Sequence, residues 1–182
     1  MIAILAIQLS PPNMEIRFAI LTISDRSSRG ERPDTSGPAL ARVVAENGWL
    51  VAKQAVVPDD FNLICATLAD WADPQEAGSG GVDVILTTGG TGFSSRDVTP
   101  DATQAVIDRP APGLAEAMRA ASLQITPHAM LSRAVAGIRR QTLIVNLPGS
   151  PKGALENLAV ILPVLPHAVL MLRDNPEYEA GH

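Results

Sequence analysis

The chain has 182 residues, 46% of them apolar and only 3% aromatic, with a formal net charge of -5. That length suits one domain whose core is built from Ala, Val, Leu and Ile and needs no disulfide or metal staple. The acidic balance argues mildly against a general nucleic-acid binder, because a phosphate backbone calls for a basic face, and no run reaches the ~18 apolar residues that suggest a membrane span.

The single cysteine, Cys65, excludes an internal disulfide and sits in an apolar helical pattern, so it reads as buried filler in a cytoplasmic protein. Residues 1–14 read as a flexible N-terminal extension. They lack the basic start and the cleavage site of a signal peptide, and their removal is not expected to change activity. Residues 15–174 read as one domain, and residues 175–182 as a fraying tail.

In chain order, residues 17–24 predict a strand buried on both faces, too apolar for a half-exposed one. A long polar loop over 24–36 follows. Residues 38–47 predict a helix with Pro38 at its first position and Gly48 just past its end. A strand over 49–57 leads through Pro58, Asp59 and Asp60 into a helix over 61–71. Residues 73–81 form a turn rich in Gly, Ser and Pro.

Residues 82–86 predict the most central strand. It feeds the stretch from Thr87 to Thr103, which holds Gly89, Gly90, Gly92, Arg96 and Asp97. Helices follow over 100–107 and 114–123, then a loop over 125–133 and two short strands over 134–138 and 142–147. A terminal helix opens at Pro151 and should break near Leu162, where Pro163 and Pro166 interrupt it, before a second piece runs to Arg173. Strands alternating with helices predict an α/β domain with a mostly parallel sheet.

Gly37-Pro38, Thr99-Pro100 and Ser150-Pro151 each put a capping-type residue before a first-turn proline. In a parallel sheet, strand-to-helix turns gather at the carboxyl edge, where ligands bind. The turns holding Ser24 and Asp25, Thr88 to Asp97, and Pro148, Gly149 and Ser150 should therefore share one rim. Three glycines interleaved with Thr88 and Thr91 after a buried strand point to a cradle for phosphate or pterin. No Gly-Lys-Ser/Thr follows, and the third glycine of a dinucleotide fingerprint is missing.

Asp101 falls in a first helical turn and reads as structural. Asp97 precedes the expected Thr99 cap, so its carboxylate is available as a Mg²⁺ ligand. The alternatives are a salt bridge to Arg96 or a loop hydrogen bond. Asp59 shares the same edge but reads first as a helix cap, a job for which Asp60 competes. Arg26, Arg29, Arg96, Arg133 and Lys152 are candidate phosphate cations, each also a plausible surface residue. His128, His167 and His182 show no metal-ligand spacing.

The stretch Thr87-Thr88-Gly89-Gly90-Thr91-Gly92, followed by Arg96-Asp97-Val98-Thr99-Pro100-Asp101-Ala102-Thr103, resembles the signature of the molybdopterin adenylyltransferases. This is the Mog/MoaB group, which shares its domain with the G domain of gephyrin. Further matching stretches include Ile23-Ser24-Asp25-Arg26, Ser36-Gly37-Pro38, Val57-Pro58-Asp59, Pro112-Gly113-Leu114 and Asn146-Leu147-Pro148-Gly149-Ser150-Pro151. They occur in the family's order across residues 16–173, and the first 14 residues have no counterpart.

The resemblance implies a three-layer αβα sandwich that assembles as a homotrimer. It implies Mg²⁺-dependent transfer of AMP from ATP to molybdopterin, releasing pyrophosphate, with hand-over to a molybdate-insertion enzyme. It implies that Asp97 and Asp59 are catalytic and hold the metal. It places Ser24, Asp25, Thr88, Gly89, Gly90, Thr91, Gly92, Gly149 and Ser150 near pterin and nucleotide. A binding-only scaffold of the same fold, the longer molybdate-insertion enzyme, and an unrelated nucleotide-binding α/β protein are the competing readings.

Overall fold

The computed structural model describes residues 14–73 and 81–173. The extension expected over 1–14, apart from Met14, the turn at 74–80 and the tail over 175–182 lie outside the described residues. Met14 is half-buried and packs against the core.

Among the described residues, six strands form one sheet in the order β2-β1-β3-β6-β5-β4. They are β1 (Arg17–Ile23), β2 (Leu50–Val57), β3 (Val84–Thr88), β4 (Arg109–Pro110), β5 (Ala136–Arg139) and β6 (Thr142–Leu147). β2, β1, β3 and β6 run parallel, whereas β5 is antiparallel to β6 and β4 to β5. β3 and β6 are buried along their whole length and β1 at every position but its first, as expected of strands covered on both faces. β2 lies on the edge and exposes Lys53 and Gln54, which blunts that edge against further pairing. The short β4 was not expected from the sequence, where Pro110 read only as a helix breaker. Pro110 is tolerated because β4 is itself an edge strand.

The described residues form seven α-helices: α1 (Asp25–Ser28), α2 (Ser36–Glu46), α3 (Phe61–Ala72), α4 (Thr99–Val106), α5 (Pro112–Leu123), α6 (Pro151–Ile161) and α7 (Leu165–Leu172). On one face, Phe18, Ile20, Val84, Leu86 and Val145 pack against Leu40, Met118, Leu158, Ile161, Leu165 and Val169 from α2, α5, α6 and α7. On the other, Ala19, Leu21, Ile85 and Ile144 pack against Ile64, Leu68, Ala102 and Val106 from α3 and α4. Alternate residues of each strand thus serve opposite layers, and the result is a three-layer α/β sandwich.

The proline break falls where the sequence places it: α6 ends at Ile161, a 3-10 turn spans Leu162–Val164, and α7 follows. Taken together, Pro151–Leu172 has 22 residues and holds an 18-residue window with a mean hydropathy of 1.8, long and apolar enough to cross a membrane by length and composition. The expectation that no run reaches this threshold is therefore corrected. One side of this run, including Ala154, Leu158, Ile161, Leu165 and Val169, is buried in the core.

Two loops carry structure that the sequence did not announce. The polar loop after β1 opens with the one-turn α1, and residues 127–131 form a 3-10 turn capped by Thr126. The caps also differ from expectation. Ser150 accepts from the Gly153 amide as predicted. Thr99, however, lies inside α4, and its hydroxyl donates to the Gly89 carbonyl. The start of α2 is capped by Asp34, whose Oδ1 accepts from the Ser36 and Gly37 amides.

An ion-pair cluster closes the opposite side of the sheet. Arg139, at the end of β5, donates to Asp73 through Nε at 3.1 Å and Nη2 at 2.5 Å, and to the Val106 carbonyl at 2.8 Å. Hydrogen bonding from Arg139 holds the Asp73 carboxyl below its ordinary pKa. A depressed folded-state pKa stabilises the fold fully above the unfolded value and is lost as pH falls through the folded one. Asp73→Ala should therefore lower folding stability by about 1–2 kcal/mol at neutral pH. Denaturant titrations of variant and wild type should converge in acid, below the depressed pKa.

Candidate functional site

The turns after β1, β2, β3 and β6 meet at the carboxyl edge of the parallel strands, and their backbones are laced together. The Ser24 amide donates to the Val57 carbonyl at 2.9 Å and the Gly89 amide to the Leu147 carbonyl at 3.2 Å. Thr88 Oγ1 donates to the Pro148 carbonyl at 2.7 Å, and Ser36 Oγ to the Gly149 carbonyl at 2.9 Å. Beneath them the buried Asn146 donates to Thr87 Oγ1 and Thr103 Oγ1, which ties β6 to β3 and α4.

The glycines are required by close backbone approach. Gly89 has φ 108°, and a Cβ there would sit 2.2 Å from the Ile23 carbonyl oxygen. Gly90 has φ 61°, and its Cβ would meet Thr99 Oγ1 at 2.4 Å and Asp59 Oδ1 at 3.2 Å. The Gly89 amide is spent on Leu147, so it cannot serve a ligand, contrary to a cradle made of every amide in the stretch. The amides of Gly90, Thr91 and Gly92 make no hydrogen bond among the described residues.

Two cavities flank this ridge. One, of about 490 Å³, is lined by Ser24, Asp59, Thr88, Gly89, Gly90, Gly149 and Ser150 together with Arg32, Asp34 and Ser36. The other, of about 320 Å³, is lined by Thr91, Gly92, Ser150, Arg119, His128 and Asn157. Ser150 borders both. Ser24 Oγ and Ser150 Oγ each accept one amide, from Ser27 and from Gly153. Their own hydroxyl hydrogens stay unused among the described residues.

The carboxylates resolve differently from the sequence reading. Asp60 caps α3, accepting from the Leu63 amide at 2.8 Å, which releases Asp59 from that task. Asp59 Oδ2 accepts from the Asp25 amide at 2.8 Å, while Oδ1 faces Gly90 with no protein donor. Asp97 Oδ2 accepts from the Ser94 amide at 2.8 Å and would lie 3.0 Å from a Cβ at Gly92. The loop hydrogen bond considered for Asp97 is thus present. Arg96 turns away to Asp25 instead of pairing with Asp97. Asp101 is held by a two-pronged pair with Arg133 at 2.6 and 2.7 Å.

The rim lies within a segment that is shared with known proteins. Residues 19–167 match the profile described as a probable molybdopterin binding domain. The chain belongs to the MoCF_biosynth family. It is 40% identical to the molybdopterin adenylyltransferase of Helicobacter pylori J99, covering 88% of this chain and 89% of that one. It is 42% identical to gephyrin of Dictyostelium discoideum over 87% of its length, but spans only 23% of that protein. Among solved structures, the molybdopterin biosynthesis enzyme MoaB of Thermus thermophilus superposes with a TM-score of 0.80 at 51% identity, covering 88% and 98% of the two chains.

The family segment runs from β1 into α7, so it contains all the rim turns. Every site residue nominated from the sequence lies on this rim, but not in one shell. Asp25 and Asp97 line neither cavity. Three contributors were missed. Arg32 lines the larger cavity without an ionic partner among the described residues. Asp34 links α2 to β1 by accepting from Thr22 Oγ1 at 2.8 Å. Asn146 stiffens the floor. Asp34 stands three residues before Gly37 and two before Ser36, a capping spacing that the sequence did offer.

Among the described residues, no group of three or more His, Cys, Asp or Glu is arranged to hold a metal. Asp59 and Asp97 each commit one oxygen to the scaffold and keep the other free. That donor set fits a hard cation that takes the rest of its ligands from phosphate and water. Burial raises the Asp59 pKa; the Asp25 and Asp97 charges add to the rise, while the Asp25 amide and Arg96 oppose it.

Two outcomes follow from this geometry. Gly89→Ala should destabilise the fold or displace the ridge, because the clash is with backbone; thermal unfolding and a resolved structure of the variant check this. A raised folded-state pKa means that ionised Asp59 opposes folding above that pKa and costs nothing below the unfolded value. Asp59→Asn should therefore raise Tm at neutral pH, and the gain should vanish as the pH is lowered below about 4.

Proposed function

We propose that the chain transfers AMP from ATP to molybdopterin, giving adenylyl-molybdopterin and pyrophosphate with the help of Mg²⁺. The observation that carries this reading is near end-to-end similarity to a protein named molybdopterin adenylyltransferase, combined with a rim that leaves two carboxylate oxygens free beside unused amides.

In the reaction, a molybdopterin phosphate oxygen attacks the α-phosphorus of ATP. A new P–O–P bond forms as the bond to the β-phosphate bridge breaks, and its electron pair leaves with pyrophosphate. Both reactants are anions, so positioning and charge neutralisation dominate the barrier. Mg²⁺ would supply charge neutralisation across the phosphates, held by Asp59 Oδ1 and the free oxygen of Asp97. The amides of Gly90, Thr91 and Gly92 donate to ligand oxygens. The Ser24 and Ser150 hydroxyls, with Thr88 and Gly149 behind them, orient the ligands on either side of the ridge. Arg32 adds positive charge to the larger cavity.

The same reading makes residues 15–174 one catalytic domain acting in the cytoplasm as a homotrimer, without nucleic-acid or membrane partners, that hands its product to a molybdate-insertion enzyme. Ile125, which lines the smaller cavity, and the likewise exposed Phe93 and Met130 give such contacts apolar surface.

Purified protein with Mg²⁺, ATP and molybdopterin should release pyrophosphate. Asp97→Asn should keep the fold, judged by circular dichroism, while turnover falls on the order of a hundredfold. Pterin binding without pyrophosphate release by the wild type would instead indicate a binding-only protein. Undiminished turnover in the variant would remove Asp97 from the mechanism.

A further inference from the structure

Asp25 lies at the centre of the acidic rim yet forms no part of either cavity wall. Both of its carboxylate oxygens are occupied by the protein. Oδ1 accepts from the Asp59 amide at 3.1 Å, and Oδ2 accepts from Arg96 Nη2 in a close ion pair. Its own amide donates back to Asp59 Oδ2 at 2.8 Å. The two aspartates therefore hold each other by reciprocal carboxylate-to-amide bonds across the ends of β1 and β2. This holds Asp59 Oδ2 against the Asp25 amide and leaves Oδ1 beside Gly90.

Arg96 extends the same tie to the other side of the rim. Its amide donates to Ser94 Oγ at 3.2 Å, and the Ser94 amide in turn holds Asp97 Oδ2. The guanidinium that pairs with Asp25 thus belongs to the short loop that carries Asp97. One carboxylate links the turn bearing Asp59 to the loop bearing Asp97.

We propose that Asp25 is a positioning residue that, through Asp59 and Arg96, presets the separation and orientation of the two carboxylates that receive the metal–nucleotide complex. It contacts neither ligand. This rests on the proposed metal role of Asp59 and Asp97. It differs from a nucleotide contact, because each Asp25 oxygen already accepts a hydrogen bond from the protein and the residue lines neither cavity. It also differs from a stability device. The Arg96 side chain is 62% exposed, and such ion pairs contribute little to folding. A cluster of three carboxylates with one arginine is therefore better explained by preorganisation than by net stabilisation.

Two measurements on Asp25→Ala, Asp25→Asn, Arg96→Ala and the double variant Asp25→Ala/Arg96→Ala test the proposal. The first is amide hydrogen exchange at Asp59 in ligand-free protein. It should accelerate in Asp25→Ala and stay slow in Asp25→Asn, whose side-chain carbonyl still accepts. The second is Mn²⁺ binding in the presence of α,β-methylene-ATP, followed by water-proton relaxation. Affinity should fall about tenfold in Asp25→Ala and in Arg96→Ala. The double variant should be no weaker than Asp25→Ala, since the two residues act through one pair. Asp25→Asn should fall between wild type and Asp25→Ala, with all four variants shown by circular dichroism to be folded at the assay temperature.

Mn²⁺ affinity unchanged in Asp25→Ala and Arg96→Ala, with Asp97→Asn impaired, would overturn the positioning role and leave the metal assignment standing. Additive losses in the double variant would likewise overturn it, by showing independent contacts. Wild-type protein that binds no Mn²⁺ with the nucleotide would overturn the metal assignment itself, and the positioning role with it.

Discussion

The main chain of Gly89 lies against the Ile23 carbonyl so closely that no side chain fits between them. The rest of the rim depends on that approach. It brings the turn after β3 against the end of β1, while the Gly89 amide pins the same turn to Leu147 at the end of β6. Three strand ends are thereby held at fixed spacing by backbone atoms alone. Backbone contacts of this kind do not change rotamer, so they give a stiffer reference frame than side-chain packing would. Threonines on either side serve the same frame: Thr88 donates its hydroxyl to the Pro148 carbonyl and Thr99 to that of Gly89.

On that frame, polar groups fall into two sets. Some are consumed internally, including the Gly89 amide, both oxygens of Asp25 and the Asp34 carboxylate. Others are left over: the amides of Gly90, Thr91 and Gly92, one oxygen each of Asp59 and Asp97, and two serine hydroxyl hydrogens. The second set gathers donors and acceptors on the turns of the rim. On the proposed reading, the acceptors serve a cation and the donors serve phosphate oxygens. The acidic chain as a whole is no obstacle, because the cations that matter are local: Arg32 at the larger cavity and Arg96 over the carboxylates.

Much of the fold was legible in the sequence because the cues were of long range along the chain. The doubly buried strands read as continuous apolar runs, and the break at Leu162 follows from Pro163. The convergence of the turns on one edge follows from parallel topology. The cues that failed were local and ambiguous. Thr99 and Asp60 are both capping types, and only packing shows that Asp60 caps while Thr99 reaches across to Gly89. Arg96 stands beside Asp97 in the chain, yet the loop turns its guanidinium towards a residue 71 positions away. The β4 edge escaped notice because a two-residue strand has no periodicity to detect.

The family was therefore legible in the sequence, which also nominated the glycine-rich stretch between Thr87 and Thr103, with Asp59 and Asp97, as the candidate site. Residue type, order and spacing are one-dimensional properties, and they are sufficient to find such a signature. Which oxygen of each aspartate is free, which amide is already spent, and which arginine guards which carboxylate were decided only by tertiary structure. These depend on donors and acceptors brought together from strands far apart in the chain, and hydrogen-bond pairing between them has no trace in local sequence.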